Sequence, residues 1–474
     1  MRQTPLILLV IWDGLRPDLV SVEHTPFLAR MAARGVTCRA SHAVWPSATR
    51  INAGSLSTGS YPAKHGLVDN DLYVPALDAV HPISCADSRA LQQMADREAG
   101  PLLTAPTLGE ILAAAGRSMV SGGSGSPGTT YLTNPTVSGP IVNWAVAWPE
   151  MLQESLVGRY SGMLDDASSS VERNRFVIGA LRDIMIPAHQ PDVVTLWLTE
   201  PDHAQHFYGL LSDEACEMLR HVDAEIEALY THLAATEQDL TCLMLSDHGF
   251  DTIGQQADVK TELIAAGLKA GPDSDDIMCA GCSLYVRERS PELVSRVAEW
   301  LLAQPWIGSV FVADDLADTC LGALPQSAVG GGHGRSGEIM YSYRWTDEPS
   351  QEGVPGTVYG WKGLAATHGS TSPYTLHNTL IAWGAGIKQE VVSDVPCGIV
   401  DVAPTVLHLL GIPAPASMDG RVLHEILEGG PNPQSIPVSH TTRRAEGTSV
   451  PQGAQVAHYS VVGEHRYLDY VSRA

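Results

Sequence analysis

Three short, unbroken apolar runs constrain this chain most: Leu6–Trp12, Val193–Leu198 and Leu240–Leu245. A run of Val, Leu and Ile without polar alternation is what a strand buried on both faces of a parallel sheet requires. Helical periodicity recurs between and after these runs, at Pro26–Arg34, Thr107–Ala115, Val171–Met185 and Ser212–Thr236. A further helix is expected after Asp401 as N-cap, with Pro404 in its first turn and Gly411 as terminator. Further strands are expected at Val36–Val44, Ser118–Gly123 and Thr379–Trp383. This alternation predicts an α/β fold, a doubly wound, mostly parallel sheet flanked by helices, with ligands bound beyond the carboxyl ends of the strands.

Each apolar run leads into an aspartate: Asp13, Asp202 and Asp247. The predicted topology puts these three carboxylates on one edge of the sheet, where a lone carboxylate would read as a helix cap. His206 follows Asp202 by one helical turn, so both share a face; His203 is a competitor. His248 adjoins Asp247, and His368 lies in a Gly/Ser/Thr loop. Carboxylate oxygens with imidazole nitrogens suit zinc, and manganese is also compatible. The set is larger than one catalytic zinc uses and fits two divalent metal ions.

The stretch Val44–Gly66, VWPSATRINAGSLSTGSYPAKHG, supplies hydroxyls and reads as a polar loop. Thr49 is the candidate nucleophile, with Ser47 and Ser55 as alternatives. A metal-bound hydroxyl has a lowered pKa. Two ions about 4 Å apart clamp the attacking and leaving oxygens of an in-line displacement. Arg50 and Asn52 are candidates to add charge and hydrogen bonds at the oxygens of the reacting group.

After Asp247 the pattern changes. A strand at Cys282–Arg287, a helix at Pro291–Ala303 and a strand at Gly308–Ala313 suggest a small inserted α+β subdomain over 255–325. It would interrupt a core formed by 1–254 and 326–430, with Ile339–Tyr343 re-entering the main sheet. Residues 431–474 are polar and read as a peripheral segment. Trp144, Trp148 and Tyr131 could form a leaving-group pocket, although aromatic residues are more often core.

Net charge is −24, from 29 basic and 53 acidic residues, which argues against a broad nucleic-acid surface or a polybasic membrane patch. It does not exclude a phosphate ligand, because bound cations reverse the local field. The first apolar run is about half a membrane span. No small-residue cleavage site follows it, so a cytoplasmic protein is expected. The eight cysteines are scattered and expected to be mostly free. Cys279 and Cys282 lack the second pair or nearby histidines that a zinc site needs. A homo-oligomer is compatible with all of this.

The ordered motifs resemble the type I phosphodiesterase/nucleotide pyrophosphatase family of the alkaline phosphatase superfamily. They are Asp13-Gly14, TRINAGSLSTGSYPAKHG, PDHAQHFYG, SDHG, THGS and the ending DVAPTVLHLLGIPAPASMDGRVL. The resemblance spans most of residues 6 to 427 outside the inserted piece. It implies an alkaline phosphatase-like core and two zinc ions, one on Asp13, Thr49, Asp247 and His248, the other on Asp202, His206 and His368. It implies a hydrolase of phosphate esters, foremost phosphodiesters, acting through a phosphothreonine on Thr49, with Asn52 matching the phosphoryl-oxygen donor. The substrate is expected to be a small phosphate or phosphonate ester.

Arg50 stands where nucleotide-cleaving members often carry an aromatic residue, and Gln205 replaces a residue that is often small. The Cys/Ser-x-Pro-x-Arg motif of sulfatases is absent. Phosphonoacetate hydrolases bind the substrate carboxylate with lysines, and here none lies between Lys64 and Lys260. Phosphonate hydrolysis and phosphomonoester hydrolysis are the alternatives. Phosphoryl transfer and a non-catalytic binding protein rank below them.

Overall fold

The computed structural model describes residues 5–98, 100–160, 162–237, 239–445, 447 and 453–473; residues 1–4, with which the core was expected to begin, lie outside it. The three apolar runs are neighbours in a nine-stranded sheet. Leu6–Trp12 lies between Leu240–Leu245 and Val193–Leu198, parallel to both, with Leu9 opposite Leu243 and Thr195. Every residue of the three strands is buried. The pleat sends alternate side chains into two cores. Ile7, Leu9 and Ile11 enter one; Leu6, Leu8, Val10 and Trp12 enter the other.

Helices cover both faces. Pro26–Arg34 and Asp213–Thr236 pack on one, while Thr49–Thr58, Leu108–Ala114 and Val402–Leu409 pack on the other. Met119–Gly123 and Ile141–Asn143 continue the parallel order, and Leu380–Gly384 and Ala147–Trp148 pair antiparallel. The expected doubly wound, mostly parallel architecture is therefore present.

Several local expectations are corrected. The Val36–Val44 strand breaks into Val36–Cys38 and Ser41–His42, which pair in different sheets. The stretch read as a polar loop contains a helix, Thr49–Thr58, in which every residue but Arg50 is buried. Ser, Thr and Asn are weak helix formers, so packing rather than propensity makes this helix. Its small residues permit close approach: a Cβ at Gly54 would lie 2.9 Å from the His65 ring.

Ile339–Tyr343 does not rejoin the main sheet. It is the middle strand of a five-stranded sheet, flanked by Ser283–Val286 and Ile307–Val312 and covered by the helix Pro291–Ala303. Its alternating residues serve two layers, with Ile339, Tyr341 and Tyr343 facing that helix and Met340 facing the other side.

The segment read as polar and peripheral forms an antiparallel sheet, Ser439–Arg444, Gln455–Val462 and His465–Arg473. Only its first strand is wholly exposed. Tyr459, Leu468 and Val471 pack with Trp45, Phe311 and Met340, and so cover the face of the five-stranded sheet opposite its helix. The alternating polar residues of these strands hide a one-sided apolar face. Among the described residues no helix is long and apolar enough to cross a membrane.

Candidate active site

The carboxyl ends of the three central strands converge. Asp13 follows the first strand directly and is 3% exposed. Gly14 then turns with φ +72°, and a Cβ there would meet the Phe250 ring at 2.8 Å. Asp202 opens the helix Asp202–Tyr208, so its carboxylate and the His206 ring meet one turn apart. Asp247 and His248 lie just beyond the end of the third strand at Leu245, and His368 follows the short strand Ala366–Thr367.

Each imidazole is oriented in the same way. His206 Nδ1 donates to Ala366 O at 2.9 Å, His248 Nδ1 to Gly249 O at 3.0 Å, and His368 Nδ1 to Ser47 O at 3.0 Å. With Nδ1–H engaged, a neutral ring presents the Nε2 lone pair to the site. His248 Nε2 lies 3.2 Å from Asp247 Oδ2 and 3.6 Å from Asp13 Oδ1. His206 and His368 Nε2 each lie 3.5 Å from Asp202 Oδ1.

Those three carboxylate oxygens are buried and have no hydrogen-bond partner among the described residues. Burial, then Asp247 and Asp202, push the Asp13 carboxyl well above its ordinary value. Burial, then His248 and His206, push the His368 imidazole well below its own. Orphaned anionic oxygens facing imidazole lone pairs are a donor set that fits divalent cations. Among these site residues, two groups each bring one donor atom per residue within 4.8 Å of the others, Asp13–Asp247–His248 and Asp202–His248–His368. His206 joins the second through its contact with Asp202.

Thr49 is the first residue of its helix, and its hydroxyl lies 3.3 Å from His248 Nε2. The alternatives are engaged elsewhere: Ser47 donates to Ser370 O, and Ser55 bonds the His65 ring. His203 is exposed and faces Glu200. Gln205 is buried and donates to Gly14 O at 3.1 Å, which gives this larger residue a role in holding the Asp13 turn.

Asn52 is not available to a ligand. Its Oδ1 accepts from Val44 N at 2.9 Å, and its Nδ2 donates to Ala48 O at 3.0 Å, fully buried. The side-chain amide at the start of the Thr49 helix is that of Asn70, whose Oδ1 accepts from Arg50 N at 3.1 Å. Its Nδ2 has no hydrogen-bond partner among the described residues. Sequence reading missed Asn70 because Asn52 is nearer along the chain. It also missed Asp251, which accepts from Ser370 and Ser372 and so fixes the loop carrying His368.

Arg50 donates to Ser126 Oγ at 3.2 Å, while its buried Nε has no partner among the described residues. Ser126 borders a cavity of about 860 Å³ that Trp144, Arg173, Thr199 and His203 also line. The Arg173 guanidinium stacks 3.7 Å from the centre of the Trp144 ring. Tyr131 and Trp148, expected beside Trp144, instead pack against each other in the core.

The sequence profile of the type I phosphodiesterase / nucleotide pyrophosphatase family matches residues 7–296. The chain belongs to that family. It is 25% identical over 257 residues to venom phosphodiesterase 2 of Crotalus adamanteus, covering 53% of this chain and 27% of that one. It is 25% identical over 261 residues to ectonucleotide pyrophosphatase/phosphodiesterase family member 1 of Mus musculus, covering 52% and 24%. The chain thus spans about a quarter of the length of these curated relatives. Among solved structures, a mutant of alkaline phosphatase PafA superposes with a TM-score of 0.70 at 18% identity, covering 90% of this chain and all of the other. Murine ectonucleotide pyrophosphatase/phosphodiesterase 5, as an inactive variant in complex with AMP, gives 0.57 at 16% identity, covering 87% and 96%. At such identities the superpositions speak for the family's alkaline phosphatase-like fold.

Proposed function

We propose that this chain is a metal-dependent hydrolase of phosphate esters, foremost phosphodiesters, with Thr49 as the nucleophile. The observation that carries this reading is the Thr49 hydroxyl, at a helix N-terminus and 3.3 Å from His248 Nε2, beside three orphaned carboxylate oxygens. Asp13, Asp247, His248 and Thr49 would hold one divalent ion, and Asp202, His206 and His368 the other, with zinc the best match to these donors. When bound, such ions lower the pKa of a coordinated hydroxyl and offset charge on phosphoryl oxygens.

Thr49 Oγ attacks phosphorus, the P–O bond to the leaving group breaks, and a phosphothreonine results. Water then cleaves the new bond and restores the hydroxyl. The helix N-terminus favours the anionic phosphoryl group, and Asn70 Nδ2 is free to donate to one of its oxygens. Arg50 and Arg173 carry no carboxylate partner among the described residues, so the adjoining cavity favours a substituent rich in hydrogen-bond acceptors.

The test compares bis-p-nitrophenyl phosphate, p-nitrophenyl phosphate, phenylphosphonate esters, phosphonoacetate and p-nitrophenyl sulfate, with Thr49→Ala as control. The diester should be turned over fastest, and the variant should lose at least about 10³-fold in rate. A variant that kept full activity would remove Thr49 from the chemistry. A faster phosphonate or monoester would reassign the substrate class.

A further inference from the structure

A second constellation of the same kind lies away from the Thr49 site. His42 is on the short strand Ser41–His42, His377 follows the helix Pro373–Leu376, and Asp469 is on the last strand. One donor atom from each lies within 4.8 Å of the other two. His42 is 2% exposed. Its Nδ1 donates to Cys397 O at 2.8 Å, the same arrangement that aims Nε2 at the cluster for His206, His248 and His368. Asp469 is oriented as well, because its Oδ2 accepts from Ser460 Oγ at 3.1 Å.

His42 Nε2 faces Asp469 Oδ1 at 2.9 Å. In a neutral ring whose Nδ1–H is engaged, Nε2 carries a lone pair, and a lone pair against a carboxylate oxygen at that distance is repulsive. Positive charge must therefore sit on or between the two. A proton on Nε2 would satisfy this pair alone. It would leave the buried His377 Nε2, which has no hydrogen-bond partner among the described residues. A divalent cation held by one donor atom from each residue satisfies all three side chains together.

We propose that His42, His377 and Asp469 form a third divalent-cation site, separate from the Thr49 site, with zinc suited to two imidazole nitrogens and one carboxylate oxygen. The argument is independent of the hydrolase reading. The cation ties the C-terminal sheet to the main domain just ahead of the segment that bears Thr49. A cavity of about 750 Å³, bordered by His377, Asp469, His440 and His458, leaves room for a fourth ligand on the open side.

The test uses the full chain, stripped with a chelator and reloaded with Zn²⁺. An anomalous difference map at the zinc edge from the unmutated protein should show a peak within about 2.3 Å of His42 Nε2, one ring nitrogen of His377 and Asp469 Oδ1. Elemental analysis should find one zinc per chain fewer in His377→Ala than in the wild type. Asp202→Asn should lose zinc at the Thr49 site and keep this peak. Saturating zinc with no density among the three atoms would overturn the proposal, as would equal zinc in wild type and His377→Ala. Either result reduces the cluster to a protonated His42–Asp469 ion pair. Peaks at the two locations are read separately, so failure of one does not count against the other.

Discussion

Beside Thr49, two amide side chains differ in what they have left to offer. Asn52 is fully engaged in holding the 44–48 turn, whereas Asn70 has one hydrogen-bonding group to spare. Asn70→Ala should lower kcat/KM about 10²–10³-fold with little change in unfolding, as expected for a lost donor to developing charge. Asn52→Ala should instead cost about 1–3 kcal/mol of stability, because it strands Val44 N–H inside the protein. Steady-state kinetics and urea unfolding on the two variants separate the roles; the opposite pattern would return Asn52 to the site. The metal-ligand candidates were legible residue by residue because each stands at a strand end or one helical turn from another. Asn70 was not, because its place beside Arg50 is set by the path the chain takes after the helix.

Among elements, the turn at 281–283 matters through a single carboxylate. Asp69, 4% exposed, accepts from Cys282 N at 2.9 Å, from the Cys282 thiol at 3.1 Å and from Ser283 Oγ at 3.2 Å. It adjoins Asn70 and so links the five-stranded sheet to the start of the Thr49–Thr58 helix. Gly281, at φ +55°, is needed there, since a Cβ would lie 2.1 Å from Asp69 Oδ1. Burial raises the Asp69 carboxyl from 3.8 to about 7 against the pull of these hydrogen bonds. The fold therefore prefers the neutral acid. Its contribution is full below about pH 4 and is lost as pH rises through about 7. The urea midpoint of the wild type should fall between pH 5 and pH 8 more than that of Asp69→Asn, which cannot ionise. Parallel midpoints across that range would show that Asp69 is not the titrating group. Elements with strong periodicity, such as Pro291–Ala303 and the three central strands, were legible to the residue. The Thr49–Thr58 helix was not, because its propensity is poor and its neighbours impose it.

At the scale of the whole molecule, a chain of net charge −24 concentrates three carboxylates, each with a buried unpartnered oxygen among the described residues, at its centre. Without cations these groups repel one another and keep orphaned oxygens, so the apo protein holds unfavourable energy at the meeting point of its central strands. Chelation should lower the melting temperature by about 5 °C or more, and adding Zn²⁺ back should restore it. A melting curve indifferent to both treatments would contradict the donor set. The doubly wound architecture was legible from alternating strands and helices. The partners of Ile339–Tyr343 and the docking of the last three strands were not, because a strand's sequence specifies its two faces and not the sheet that receives it.

One contact at Asp13 gives the site an optical reporter. The fully buried indole of Trp197 donates to Asp13 Oδ2 at 2.9 Å. The emission of an indole depends on the field along its ring, and a cation bound at Asp13 would change that field. Adding metal should therefore shift the tryptophan fluorescence of the native protein, although ten tryptophans share the signal. Trp197→Phe should silence that shift, so occupancy of the site can be followed by light, without a substrate.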